Sequence, residues 1–459
     1  MKARALTPSA PTSEDSASSV FLPSPGEGGR EGSGEGPGVR VRRWVRILSA
    51  YLTAQTLTQL AGIAAGLLLV RFMPVREFAL YTLALSVITF FTFLSDLGST
   101  TSLVFFFHRH QGETAEVRRY VAAVLSLRRL AFAAGAAGVL AAFPAIATAK
   151  GFGLREALPA TACILLGVWF QIASSVRVLV LRLADRYGRS YRAEMAGGGL
   201  RLLLAGLLVA TGALRAWLGV LSNALGAAAV ALLARPEPAG SPAAGDMDLR
   251  PYRRRVLRYL APSLPSALYF SVQGPLTVWL AATFGGTGNI AEVGALSRLG
   301  LIVGIFGNLT GVVFLPRLAR LSDDRLYRRR YLQFGALLAA VAAGLLLAAA
   351  AAPGLFLALL GPHYAGLRSE LLLVVAGSGL TLLGGYAVSV NLARSWNRWE
   401  GLAVVLLIAV QAVLVALLPL GTTSGVLWFN LFTAATGLSL QLLITLGGFT
   451  RPEWVRWMS

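Results

Sequence analysis

Beyond Arg40 the chain alternates long apolar runs with short polar connections. Each run has about 20 residues, which is what a helix rising 1.5 Å per residue needs to cross about 30 Å of hydrocarbon. Twelve spans are predicted, near residues 47–70, 78–98, 130–149, 157–180, 193–213, 216–234, 257–281, 290–316, 331–352, 370–392, 401–420 and 426–449. The pattern predicts an all-α integral membrane protein.

The arginines test that count. If the N-terminus is cytoplasmic, the connections after spans 2, 4, 6, 8 and 10 should be the basic ones. They hold Arg109, Arg118, Arg119, Arg128 and Arg129; Arg182, Arg186, Arg189 and Arg192; Arg250, Arg253, Arg254, Arg255 and Arg258; Arg317, Arg320, Arg325, Arg328, Arg329 and Arg330; and Arg394 and Arg398. The alternate connections hold few, among them Arg71, Arg76, Lys150, Arg155, Arg215 and Arg368. A miscounted span would invert the later loops and erase the asymmetry. Both termini are therefore expected in the cytoplasm.

The second half repeats the first. Arg118-Arg119-Tyr120 before span 3 parallels Arg329-Arg330-Tyr331 before span 9, and Leu154-Arg155-Glu156 parallels Leu367-Arg368-Ser369-Glu370. The stretch Leu183–Arg189 after span 4 parallels Leu392–Arg398 after span 10. Six spans per repeat is even, so the two bundles enter the membrane in the same orientation, related by an axis along its normal. The expected organisation is a disordered tail over 1–40, a six-helix bundle over 41–234, a cytoplasmic linker over 235–256 and a second bundle over 257–459. The tail is rich in Gly, Pro, Ser and Glu and lacks the apolar stretch of a signal peptide.

Composition narrows the function. Hydrophobic residues make up 56% of the 459 and charged residues 14%, with a net charge of +20. In a soluble protein that charge would suggest nucleic acid. Here it lies in clusters between spans and serves orientation, so no nucleic-acid partner is expected. The single cysteine, Cys163, and three histidines, His108, His110 and His363, leave no material for a Cys-rich metal site. No metal and no cofactor are expected.

Span 1 ends in Arg71-Phe-Met-Pro-Val-Arg-Glu-Phe-Ala-Leu-Tyr81, and span 2 closes on Ser95-Asp96-Leu97-Gly98. With the twelve-span 6+6 layout, these stretches resemble the polysaccharide transporter (O-antigen, or lipid-linked oligosaccharide, flippase) family of the MATE-like MOP superfamily. Ala79 stands where that family usually has Gly. The resemblance implies a MATE-like fold in the bacterial inner membrane. It also implies alternating-access transfer of a polyprenyl-pyrophosphate-linked oligosaccharide for O-antigen, capsule or exopolysaccharide assembly. The implied partners are the lipid-linked glycan, the bilayer and a polysaccharide polymerase machinery.

Such a cargo needs cations for its pyrophosphate and polar groups for its glycan. Arg298 lies about eight residues, or roughly 12 Å, into span 8. An arginine at that depth costs at least about 2.5–3.5 kcal/mol unless water or an anion meets it, and its planar fork suits phosphate oxygens. The bland reading is snorkelling, or pairing with Glu292. Arg201 sits similarly in span 5, with Glu194 seven residues earlier on the same face; the plainer reading puts both at the interface. Gln55 and Gln59 share a face of span 1 with Gly62 and Gly66. Tyr269 and Gln273 share a face of span 7 with Ser266 and Thr277. Asn308, Asn391, Asn430 and Gln441 are further cavity candidates, though interhelical hydrogen bonding accounts for any one of them as well. Asp96, Arg177 and Glu194 are candidate gating groups, Asp96 and Arg177 as an ion pair near the inner ends of spans 2 and 4. Pro262, Pro265 and Pro275 remove backbone donors from span 7 and make it the expected bending helix.

A MATE-type cation or drug antiporter, or a lipid II flippase, would share this layout. Cation carriage calls for buried carboxylates, and those here lie near span ends. A membrane glycosyltransferase or polysaccharide polymerase would need a carboxylate pair or substantial outer loops, and the sequence offers neither.

Overall fold

The computed structural model describes residues 37–110, 114–235, 248–261, 264–307, 310–319, 321, 323–396 and 398–450. Pro262, Asn308 and most of the predicted tail lie outside them. The described residues form helices and no strands: α1 (Pro37–Phe72), α2 (Val75–Asp96), α3 (Ser99–Arg109), α4 (Thr114–Ala149), α5 (Leu154–Leu183), α6 (Tyr187–Thr211), α7 (Ala216–Leu233), α8 (Arg250–Leu260), α9 (Leu264–Phe284) and α10 (Thr287–Gly304). A π-helical stretch over Thr310–Phe314 leads into α11 (Leu315–Ala319), followed by α12 (Asp324–Ala351), α13 (Pro353–Leu360), α14 (Arg368–Ala393), α15 (Glu400–Leu417) and α16 (Thr423–Thr450).

Ten of these helical stretches are long and apolar enough to cross a membrane. The predicted spans 7 and 8 are present as α9 and α10 but fall outside that set. Gln273, Pro275, Glu292 and Arg298 dilute their hydropathy, as expected of helices that face protein and polar space rather than lipid. The short helices α3, α8 and α13 lie wholly or mostly in stretches expected to be connections. The α2 helix stops at Leu97, which is left-handed (φ 39°), and at Gly98 (φ 82°), where the missing Cβ makes that conformation cheap. The chain restarts as α3. The Asp-Leu-Gly motif is therefore a helix-breaking turn.

The halves pack by the same rules. In the first, α5 packs chiefly on α7 and is flanked by α4 and α2; in the second, α14 packs chiefly on α16 and is flanked by α12 and α10. The halves meet reciprocally through α1 and α2 against α9 and α10. Trp279 of α9 donates its indole N–H to Ser86 of α2 at 3.1 Å and meets Phe90 edge-on. One end of this seam is sealed. A single core takes in Val70, Met73 and Phe152 of the first half with Ile290, Leu360 and Leu420 of the second. Arg71 donates to the Ala358 carbonyl (2.5 Å) and Lys150 to that of Gly285 (3.2 Å) across it. At the arginine-rich end the cores separate, one around Leu103, Phe106 and Tyr120 and another around Phe314, Tyr331 and Trp396.

Candidate functional site

At the seam α1 turns its Gly62/Gly66 face toward two arginines from different halves. Arg201 of α6 donates from Nη2 to the Gly62 carbonyl at 3.1 Å. Arg298 of α10 lies against Gly66: a Cβ there would stand 3.3 Å from Arg298 Cδ and 3.6 Å from its Nε. A larger residue would push the guanidinium aside. The Arg298 guanidinium sits 5.9 Å from the centroid of the Tyr81 ring, in cation–π range. The Tyr81 hydroxyl in turn accepts from Asn223 Nδ2 at 3.0 Å. Arg201 is within electrostatic reach of both Arg298 and Tyr81.

Among the described residues no carboxylate forms an ion pair with either arginine, and Arg298 Nε is buried without a hydrogen-bond partner. Glu292, the alternative partner read from the sequence, instead accepts from the Thr423 hydroxyl. Glu194 is taken by Arg182, whose Nη2 donates to both carboxylate oxygens at 2.9 and 2.8 Å. Glu194 therefore does not pair with Arg201, although the two share a helical face. Gln59, on the α1 face that meets the arginines, has a buried Oε1 without a partner; Gln55 lies one turn earlier, half-buried.

Each half also holds a cavity between equivalent helices. In the first half a space of about 490 Å³ is lined by Thr58, Gln171, Ser174, Asn223, Arg201 and the Arg182–Glu194 pair. In the second, about 710 Å³ is lined by Gln273, Ser297, Ser378, Thr381, Asn430 and Gln441, with Tyr269 and Glu400. Gln273 and Gln411 exchange amide bonds at 3.1 and 3.0 Å, joining α9 to α15. Tyr269 donates to the same Gln411 oxygen at 3.5 Å. Tyr269 and Gln273 thus serve both readings given above, as cavity wall and as interhelical bond. Asn391 is buried, bonded to Gln441 at 2.9 Å and to Thr445, and is a packing group.

The gating candidates need correction. Asp96 pairs with Arg128 of α4, not with Arg177. Arg177 donates to the Ala231 carbonyl of α7. Arg128 read as a loop arginine because it sits in a basic cluster; the structure buries its side chain to 4% exposure. It also donates to Ser99 (2.7 Å), Thr100 (2.7 Å) and Ser175 (2.8 Å). Its Arg-Arg neighbourhood gave no signal that one of the two faces inward. Pro265 occupies the second position of α9, where the absent N–H would be unpaired anyway, so it starts the helix instead of bending it. Pro275 is buried within the helix and does remove a ladder donor.

Residues 45–173 match the family model described as polysaccharide biosynthesis protein. That segment holds both motifs, Asp96 and Arg128, and ends before Arg201 and Arg298. No curated protein matches the chain in sequence. Among solved structures it is similar to an inward closed conformation of the lipid II flippase MurJ, with a TM-score of 0.68, 12% identity and 86% of both chains covered. It is also similar to an outward-facing multidrug resistance MATE family transporter of the MOP superfamily, with a TM-score of 0.55, 16% identity, and coverage of 90% of this chain and 99% of that one. A MATE transporter in the bent conformation gives 0.54 at 17% identity, covering 89% and 96%. The chain has the MATE-like fold. Both halves of that fold are present, since the matches run through nearly the whole described chain. These relatives are transporters and flippases, and the enzyme readings weighed on the sequence find no counterpart among them.

Proposed function

We propose that the protein moves a polyprenyl-pyrophosphate-linked oligosaccharide across the bacterial inner membrane by alternating access, for O-antigen, capsule or exopolysaccharide assembly. The observation that carries the reading is the pair Arg201 and Arg298. Each half contributes one, no carboxylate among the described residues pairs with either, and both rest on the glycine face of α1. Two half-buried like charges facing one helix without a carboxylate partner among the described residues are costly, and an anion that enters between them relieves both at once. A pyrophosphate offers oxygens to both planar forks. The polar cavities beside the pair provide hydroxyls and amides for sugar rings.

The arrangement of cores supports alternating access. The halves share one core at the arginine-poor end and separate at the arginine-rich end. By the positive-inside rule the separated end is cytoplasmic, the side from which such a cargo would load. Both termini lie there on the same rule.

The test is reconstitution in liposomes with a labelled polyprenyl-pyrophosphate sugar, scoring protein-dependent appearance of label in the opposite leaflet. Arg298→Ala and Arg298→Lys should both cut the rate while the protein still folds and inserts. Full activity of the alanine variant would remove the basis of the proposal. The likeness to a lipid II flippase makes lipid II the competing cargo, and running both substrates in the same vesicles separates the two.

A further inference from the structure

The helix α8 has 11 residues, Arg-Pro-Tyr-Arg-Arg-Arg-Val-Leu-Arg-Tyr-Leu, too few to cross a bilayer. Although it follows the linker, it packs on α3 and α4 of the first half. Val256 and Leu260 are buried beside Leu103, Phe106 and Tyr120. Tyr252 donates to Glu116 at 3.0 Å, and Arg253 Nε to Ser126 Oγ at 2.7 Å. With that face fixed, helical periodicity sets Arg250, Arg254 and Arg258 in a row on the opposite one. All three are exposed. Among the described residues none of them forms an ion pair with a carboxylate.

The borders of this row are apolar. Leu257 is 49% exposed on one side and Tyr259 38% on the other. Tyr259 stacks on Phe105 of α3, itself exposed, with ring centroids 4.7 Å apart. A face turned wholly to water gains nothing from an exposed leucine and two exposed rings. At the level of lipid headgroups the same residues dip their apolar parts below the phosphates while the guanidinium groups stay among them.

We propose that α8 lies on the bilayer surface and binds the headgroups of anionic phospholipid through Arg250, Arg254 and Arg258, with Leu257, Tyr259 and Phe105 inserted beneath. The arginine-rich side is the cytoplasmic one by the positive-inside rule, and that leaflet carries the negative surface potential such a row matches. Since α9 begins at Leu264, four residues after α8 ends, lipid held at α8 also holds the point where the chain crosses from one half to the other. This site is independent of the Arg201–Arg298 pair and of the cargo.

The test uses the full-length protein in neutral detergent micelles, titrated with phosphatidylglycerol or phosphatidylcholine, with bound lipid counted by native mass spectrometry. Phosphatidylglycerol should be retained in preference. The triple variant Arg250→Gln, Arg254→Gln, Arg258→Gln should weaken its binding by at least about tenfold, given roughly fivefold per arginine near an anionic surface. Glutamine is nearly as good a helix former as arginine, and an unchanged melting temperature confirms folding. Removing equal charge from α12 (Arg325→Gln, Arg328→Gln, Arg329→Gln) should shift binding by less than about twofold. Unchanged binding by the α8 variant overturns the proposal. So does an equal loss in the α12 variant, which marks diffuse attraction, or displacement of the lipid by equimolar inorganic phosphate, which reassigns the face to a soluble anion.

Discussion

The first half closes on itself and the second does not. In the first, α1 packs along α6, and Gly198 lies against Thr58 and Ala61. In the second, the equivalent helices α9 and α15 stand apart over the larger cavity, tied through the Gln273–Gln411 amides and Tyr269. Their polar groups differ as well. The first half uses full charges: Arg128–Asp96, Arg182–Glu194 and the unpaired Arg201. The second is built on amides and hydroxyls, with Glu400 bonded to Gln441 at 3.1 Å. A duplicated architecture has thus been given one tightly packed copy whose cavity holds an ion pair and one roomier copy whose cavity is lined mainly by amides and hydroxyls.

The largest expected effect tests the charged copy. Arg128→Ala should leave Asp96 without its ionic partner inside the helix bundle and cost about 3–5 kcal/mol. It would be read as a large drop in melting temperature in detergent. Breaking the neutral Asn391–Gln441 contact by Asn391→Ala should cost less, about 1–3 kcal/mol; equal losses would undo the contrast between the halves.

Next come the two seam arginines. Losing a charged hydrogen-bonding group costs about 1.5–3 kcal/mol, so Arg201→Ala and Arg298→Ala should each slow transport on the order of ten- to a hundredfold. If both hold one anion, the double variant should be little worse than either single one. Strict additivity in a double-mutant cycle would mean that they act separately.

Packing is the third comparison. The Cβ of Gly197→Ala would fall 2.3 Å from Val230 Cγ2 and 2.7 Å from the Gly226 carbonyl. It should therefore cost about 1–3 kcal/mol despite the better helix propensity. Gly401, in the first turn of α15, has nothing within 4 Å of an added Cβ, and Gly401→Ala should leave the melting temperature unchanged or slightly higher. The smallest effect concerns the amide bridge. Gln273→Leu alone should cost about 1 kcal/mol by leaving the Gln411 amide N–H without its acceptor, and adding Gln411→Leu should recover part of it, since the Tyr269 hydroxyl then loses its own acceptor. A double variant less stable than the single one would show that the bridge is more than a mutual satisfaction of two amides.

Much of this protein is written in one dimension. Apolar run length placed the long helices, ten of which are long and apolar enough to cross a membrane, because the bilayer makes a local demand on each segment. The offset of about 210 residues between matching loops led to the expectation of two similar halves. Depth along a span could also be counted, and it singled out Arg298 and Arg201. Partner choice was not legible. Asp96 takes Arg128, 32 residues away, instead of Arg177, and Glu194 takes Arg182 in preference to Arg201. Several arginines sit within reach in sequence, and helix rotation decides which faces inward. That rotation is set by packing across the whole bundle. The same cause hid α8, whose arginines read as a loop cluster until its apolar residues were seen docked on α3 and α4. Sequence thus determined which segments form the long apolar helices. Tertiary structure decided which charges meet, because that depends on how neighbouring helices turn against one another.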